Sequence, residues 1–192
     1  ETLVLEAFRA VCTDEPAAKL LIAPRLADRF DEVEALLRTS GLTYCRRSRI
    51  ADTADGADVI LLDSIGELSG IFEYATLVFM GGTLVPRGGH NLLEPARFAK
   101  PVLFGPHMQN FREMTRTFLE ANAGIQVVDA AELANEMVGL LSEPARAAEI
   151  GRRGKRLAEE NGGATERTLD AVRQCLEESR SGNLLLSGDS SR

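Results

Sequence analysis

Leu77-Val-Phe-Met-Gly-Gly-Thr-Leu-Val-Pro-Arg-Gly-Gly-His-Asn-Leu-Leu-Glu-Pro-Ala-Arg-Phe-Ala-Lys-Pro-Val-Leu-Phe-Gly105 is the stretch that decides the fold. Leu77–Met80 is a strand-sized apolar run, stopped by Gly81-Gly82. A loop over Thr83–His90 follows, a short helix is predicted near Asn91–Ala99, and Pro101–Gly105 reads as a strand again. Strand, loop, helix and strand make one βαβ unit, and such units build a parallel sheet.

The same alternation runs outward on both sides. Upstream, residues 1–12 carry a helical pattern (Leu3, Leu5, Phe8, Val11) that is already under way at Glu1, so a part of the protein before Glu1 is expected. Ala18–Ala23 is a buried strand stopped by Pro24, and Phe30, Val33, Leu36 and Leu37 recur at helical spacing until Gly41. Thr43–Arg46 is a short strand, a polar loop runs through Gly56, Asp58–Asp63 is a buried strand, and Gly66–Ala75 a helix. Downstream, Asn110–Ala121 is helical, Ile125–Val128 a strand and Ala130–Leu141 a helix. From Glu143 only helical patterns remain, with a break at Asn161-Gly-Gly163. The expected fold is α/β, a Rossmann-like parallel sheet flanked by helices with extra carboxyl-terminal helices. Residues 1–178 form the domain and 179–192 a polar tail, in which Leu184-Leu-Leu186 is the one apolar element.

The chain of 192 residues is long enough for one domain with a real core. Its 44% hydrophobic and 27% charged residues are ordinary globular values. A net charge of -7 excludes a general nucleic-acid-binding role, so any anion must be held locally by a few arginines or helix ends. Cys12, Cys45 and Cys175 are odd in number and lack CxxC spacing, which excludes a disulfide framework or thiolate zinc site and suits a reducing compartment. With two histidines in the chain, no zinc site is expected. The apolar runs are far too short to span a membrane, and no signal peptide is expected.

In a parallel sheet ligands sit at the carboxyl ends of the strands, so the loops there are where chemistry is sought. Gly88 and Gly89 let a backbone approach a ligand closely, and the helix start beyond them offers unpaired N–H groups to an anion. Glu94, in the first turn, would repel a phosphate placed directly on it but can accept from both hydroxyls of a ribose. The same residues also fit a loop with a helix cap at Asn91 and an ordinary first-turn acid. The loop is neither a Walker A element nor GxGxxG, and no GxSxG elbow occurs. Pro24-Arg25, directly after the first strand, can fork onto a phosphate or carboxylate, or be a solvated turn. Ile65-Gly66-Glu67 offers amides at a helix entry, Gly105-Pro-His107 lines the cleft or makes a structural turn, and Arg46-Arg-Ser-Arg49 is a solvated loop face or flanks an anion.

Taken in order, Leu21-Ile-Ala-Pro-Arg25 with Arg29-Phe-Asp-Glu-Val33, Asp63-Ser-Ile-Gly-Glu-Leu68, Gly81–Pro95, and Pro101-Val-Leu-Phe-Gly-Pro-His107 with Asn110-Phe111 resemble the carboxyl-terminal half of 3-deoxy-D-manno-octulosonic acid (Kdo) transferases. The resemblance extends to about Gly163, and Gly-Gly-His-Asn-x-Leu-Glu-Pro is its most specific element. It implies a GT-B glycosyltransferase of two Rossmann-like domains with the active site between them. The present half would hold the donor, CMP-Kdo, with no cofactor and no metal in an inverting transfer. The amino-terminal half would hold the lipid A precursor and supply a glutamate base, a lysine and glutamate that assist the transition state, and the membrane attachment. No catalytic residue would then lie in this chain. The full-length protein would work at the cytoplasmic face of the bacterial inner membrane, and this part by itself would be soluble.

Carried over residue by residue, the family's CMP contacts match Pro24, Arg25, Ile65, Gly66, Glu67, Asn91, Leu92, Leu93 and Glu94, with Gly88, Gly89 and His90 as phosphate or donor neighbours. Leu92 stands where a proline is common. On this reading Arg25 pairs with the phosphate or donor carboxylate, the amides of 88–91 cradle the phosphate, and Glu94 holds the ribose. Two alternatives stay open: a non-catalytic nucleotide-binding domain, and another GT-B nucleotide-sugar transferase or epimerase.

Overall fold

Short parallel strands alternate with helices throughout the computed structural model, which describes residues 1–50 and 56–162. The loop at 51–55, Gly163 and the helical patterns after it, Cys175, the domain limit at 178 and the tail at 179–192 lie outside the described residues. In chain order come α1 (Thr2–Asp14), β1 (Leu20–Ile22), α2 (Phe30–Thr39), β2 (Tyr44–Arg46) and β3 (Val59–Leu61). Then follow α3 (Leu68–Ile71), β4 (Val78–Met80), α4 (Leu93–Ala96), β5 (Val102–Phe104), α5 (Arg112–Glu120), β6 (Ile125–Gln126) and α6 (Ala130–Ser142). Residues 144–162 are helical and form α7.

The strands pair in parallel in two groups. β3 lies between β1 and β2, with Ile60 opposite both Leu21 and Cys45; β5 lies between β4 and β6. Each ladder is shorter than the apolar run that predicts it.

Burial on both faces explains the continuous apolar runs. In β5, Leu103 points into a core shared with Ile22, Val59 and Leu61 of the first strand group, Phe8 and Val11 of α1, and Leu133 and Leu140 of α6. Its neighbours Val102 and Phe104 point the other way, toward Leu92, Ala96, Phe118 and Ala158. One core thus joins both strand groups, and α1 packs along α6 to close it. Asp129 fixes the start of α6: its carboxylate accepts from the Glu132 N–H at 2.8 Å, while Glu132 accepts from the Val128 N–H at 2.7 Å.

Two helices are shorter than their sequence patterns. The predicted helix at 91–99 is a single turn, Leu93–Ala96, with hydrogen-bonded turns after it. Ala99 adopts a left-handed conformation (φ 55°) two residues before Pro101, which ends the helix. Its carbonyl abuts Gly151 of α7, where a Cβ would collide with it. The helix predicted over Gly66–Ala75 is α3 followed by a 3₁₀ turn, Phe72–Tyr74. Asn110–Ala121 likewise opens with a 3₁₀ turn, Gln109–Phe111, before α5.

Because α1 supplies Phe8 to the shared core, 3% exposed, it is an integral part of this unit. Phe8→Ala is expected to cost about 3–5 kcal/mol, read as a lower urea midpoint at unchanged slope. A loss below ~1 kcal/mol would mean that α1 is a detachable arm.

Candidate functional site

The carboxyl ends of β1, β3, β4 and β5 carry the loops in question, and each is anchored differently. After β4, the chain turns through Gly82 (φ 70°) and reaches Gly88 (φ 89°) and Gly89 (φ 79°), both buried. These backbone angles favour glycine, and so does the space. A Cβ on Gly88 would collide with the Asn110 side chain, and one on Gly89 with Sδ of Met108. The Asn110 N–H donates to the Gly88 carbonyl at 3.1 Å, so the glycine loop lies flat on the 107–110 segment that follows β5.

That packing leaves one edge of the loop unsatisfied. Among the described residues, the N–H groups of Gly88, Gly89, His90 and Asn91 donate to no protein acceptor. Four successive unpaired donors are available to the oxygens of a phosphate. The next N–H, of Leu93, is taken by Asn91 Oδ1 at 3.0 Å, and that of Leu92 points at Met114 Sδ at 3.4 Å. Asn91 therefore bonds locally just ahead of α4, whose N-cap is Leu92 with no side-chain cap bond, rather than serving as the helix cap of one sequence reading. Because α4 is one turn long, an anion here meets the loop amides rather than a substantial helix dipole.

The remaining predicted residues divide by what their side chains already do. Leu92 is fully buried and Leu93 packs against the same core, so only their backbone is available to a ligand. Glu94 is exposed and makes no hydrogen bond or ion pair among the described residues. Arg25, exposed after β1, is likewise unpaired, and Pro24 is half-buried beside it. Half-buried His90 feels both neighbours. Burial and the Arg25 charge lower its pKa from the ordinary 6.5, while Glu94 opposes them. The charges of Arg25, after β1, and of Glu94, after the glycine loop, thus both reach His90.

The β3 loop is tied to β2 instead. Glu67 accepts from Arg47 Nη2 at 3.0 Å and from the Ser64 hydroxyl, and Gly66 (φ 92°) has open space around it. Ile65 is 81% exposed, an apolar side chain presented at the rim. No hydrogen bond or ion pair joins 65–67 to 88–94 among the described residues; β3 pairs with β1, so the 63–67 loop leaves beside Pro24 and Arg25.

Of Arg46-Arg-Ser-Arg49, read as a solvated face, Ser48 and Arg49 are exposed, while Arg46 and Arg47 are engaged by acids. Arg46 Nη2 binds Asp31 and, at 2.8 Å, Glu34, and these bonds raise its pKa. Asp63 would be pushed up by burial, but Ser48 donates to it from its N–H at 2.9 Å and its hydroxyl at 2.6 Å, and the net shift is downward. Arg46 and Arg47 are therefore engaged by carboxylates, not free to flank an anion. Gly105-Pro-His107 is the structural turn of its two readings: the Gly105 N–H donates to Thr83 Oγ1 at 2.7 Å. Thr83, Met108 and Asn110 shape the loop, and of these Thr83 and Met108 were not singled out by the sequence reading. Thr83 had one signal there, its place directly after a glycine pair, and Met108 had none.

Comparison with known proteins gives a consistent relationship. No family model matches the chain. The 3-deoxy-D-manno-octulosonic acid transferase of Haemophilus influenzae is 35% identical over 178 residues, 92% of this chain and 42% of that protein. The enzyme of the same name from Bordetella pertussis is 35% identical over 173 residues, 90% of this chain and 40% of its own length. The chain thus spans about two fifths of these curated relatives. Among solved structures, the C-terminal CMP-Kdo binding domain of WaaA from Acinetobacter baumannii superposes with a TM-score of 0.74 at 30% identity, covering 80% of each chain. Anabaena Alr3699/HepE in complex with UDP shares the fold, with a TM-score of 0.61 at 18% identity over 89% of this chain and 45% of its own.

The His90 environment has a measurable consequence. Its charged form is disfavoured in the folded state, so its contribution to stability is complete above pH 6.5 and is lost as pH falls through its lowered pKa. Arg25→Gln removes a charge that opposes protonation and should raise the His90 midpoint toward 6.5 in a ring-proton NMR titration. An unchanged His90 midpoint would show that the β1 and β4 loops do not share a cleft.

Proposed function

The chain belongs to the Kdo transferase family, and from that membership we propose that it is the donor-holding half of an enzyme that moves Kdo from CMP-Kdo to a lipid A precursor. The observation that carries this reading is the run of four amides at 88–91 that donate to nothing among the described residues, on the loop whose His90 feels the charges of both Arg25 and Glu94.

Each group has a chemical task in that role. The amide edge and Arg25 hold the CMP phosphate, whose negative charge grows as the bond to the sugar breaks. Donors already in place stabilise that departing charge without reorganising. Glu94 lies close enough to His90 to feel its charge and accepts from the ribose hydroxyls, where its own charge is set apart from the phosphate. The exposed side chain of Ile65 covers an apolar face of the cytosine, with Gly66 leaving room for close approach.

The rest of the reaction is assigned to the part of the protein before Glu1: the glutamate base, the lipid A precursor site and the attachment to the cytoplasmic face of the inner membrane. Among the described residues no helix is long and apolar enough to cross a membrane, and no three His, Cys, Asp or Glu side chains gather as a metal site. The division of labour leaves residues 1–192 able to bind nucleotide but not to transfer. Kdo transfer to a lipid A precursor by these residues alone would overturn it.

CMP and CTP are expected to raise the melting temperature more than UMP, AMP or GMP at equal concentration, because a ligand stabilises only the state that binds it. Equal shifts for all the monophosphates would mean phosphate-only binding and would sink the cytidine reading.

Glu94→Gln keeps the shape but removes the charge. It should weaken CMP binding about tenfold or more, since a hydrogen bond to a charged group contributes roughly 1.5–3 kcal/mol and ~1.4 kcal/mol is one decade. Wild type should bind CMP better than 2′-deoxy-CMP, and the variant should discriminate much less. A variant with wild-type affinity and the same ribose preference would leave Glu94 as a simple turn residue.

A further inference from the structure

Thr83 is a polar residue with no exposed surface, set between two strand ends. Its hydroxyl donates to the Met80 carbonyl at 2.6 Å and accepts from the Gly105 N–H at 2.7 Å. Its own carbonyl accepts from the His107 N–H at 2.9 Å. One residue therefore closes the end of β4 and fixes the start of the segment that leaves β5. The fit is tight. A Cβ on Gly105 would collide with the Thr83 carbonyl and lie 2.7 Å from the Leu84 nitrogen.

What Thr83 fixes is the platform under the glycine loop. From Gly105 and His107 the chain continues to Met108, which packs against Gly89, and to Asn110, whose N–H holds the Gly88 carbonyl. The unpaired amides at 88–91 take their direction from these contacts. Thr83 itself is too deeply buried to touch a ligand. Deleting its hydroxyl strands a buried donor and a buried acceptor, and the 105–110 segment must shift to satisfy them.

We propose that Thr83 is the positioning residue for the donor phosphate: through Gly105 and His107 it sets the platform that aims the 88–91 amides. The inference rests on the CMP-binding reading above. A positioning role of this kind is specific to the phosphate, because the ribose and base are held by Glu94 and the β3 loop. A purely structural role would lower stability and leave the preference for phosphate untouched.

The test uses residues 1–192 with CMP and with cytidine, each Kd read by NMR titration, which follows weak as well as tight binding. Wild type is expected to prefer CMP. Thr83→Val, which keeps the volume and loses the hydroxyl, should reduce the CMP-over-cytidine preference about tenfold, chiefly by weakening CMP. Thr83→Ser, which keeps the hydroxyl, should restore the preference to within about twofold of wild type. If Thr83→Val does not fold, Thr83→Ala makes the same comparison without the added methyl. A hydroxyl-less variant with wild-type preference would overturn the positioning role while leaving CMP binding standing, as would a Thr83→Ser variant that loses as much as Thr83→Val. Failure of wild type to bind CMP would instead bring down the donor reading and this inference with it.

Discussion

Val102, Leu103 and Phe104 are buried completely, and they alternate between two separate cores. A central strand covered on both faces has no surface left for a ligand, so chemistry is confined to the loops at the strand ends. Everything about the candidate site follows from that confinement. The loops must be held without regular secondary structure. Buried Thr83 is fully bonded, and the Gly88–Gly89 pair is held by close packing on Met108 and Asn110.

The electrostatic organisation follows a second division. The protein carries a net charge of -7, yet the reading requires it to bind an anion. It does not rely on an overall field. At the β2 and β3 ends, positive side chains are paired off: Arg46 with Asp31, Glu34 and the more distant Asp63, and Arg47 with Glu67. At the β1 and β4 ends, Arg25 and the 88–91 amides have no partner among the described residues. An arginine already satisfied by carboxylates has little to offer a phosphate, whereas an unpaired one beside free N–H groups gains charge-assisted bonds on binding. The distinction between a structural and a binding arginine is thus a matter of which acids lie within reach.

Much of this was legible before the structure. Apolar runs and helical spacing are local patterns, so the alternation of strands and helices, the glycine loop after β4 and the place of Glu94 could be read along the chain. The ordered series of motifs also pointed to the family to which the solved CMP-Kdo binding domain belongs. Lengths were less readable. The helix expected over 91–99 stops after one turn because Ala99 is left-handed and its carbonyl meets Gly151, a residue far along the chain.

What the sequence by itself determined is the type and order of the elements and the residues available at each strand end, because these depend on neighbours a few positions apart. What only the tertiary structure decided is which of those residues meet. Strand order is the reason: β3, not β2, pairs with β1, so Ser48 and Arg47 close on the 63–67 loop, while β1 presents Arg25 to the loop that follows β4. No local pattern distinguishes Arg46 from Arg25, nor Thr83 from any other threonine after a glycine pair. Arg46 is engaged by Glu34, 12 positions away, and Thr83 by Gly105, 22 positions away, partners that the fold brings within hydrogen-bond distance.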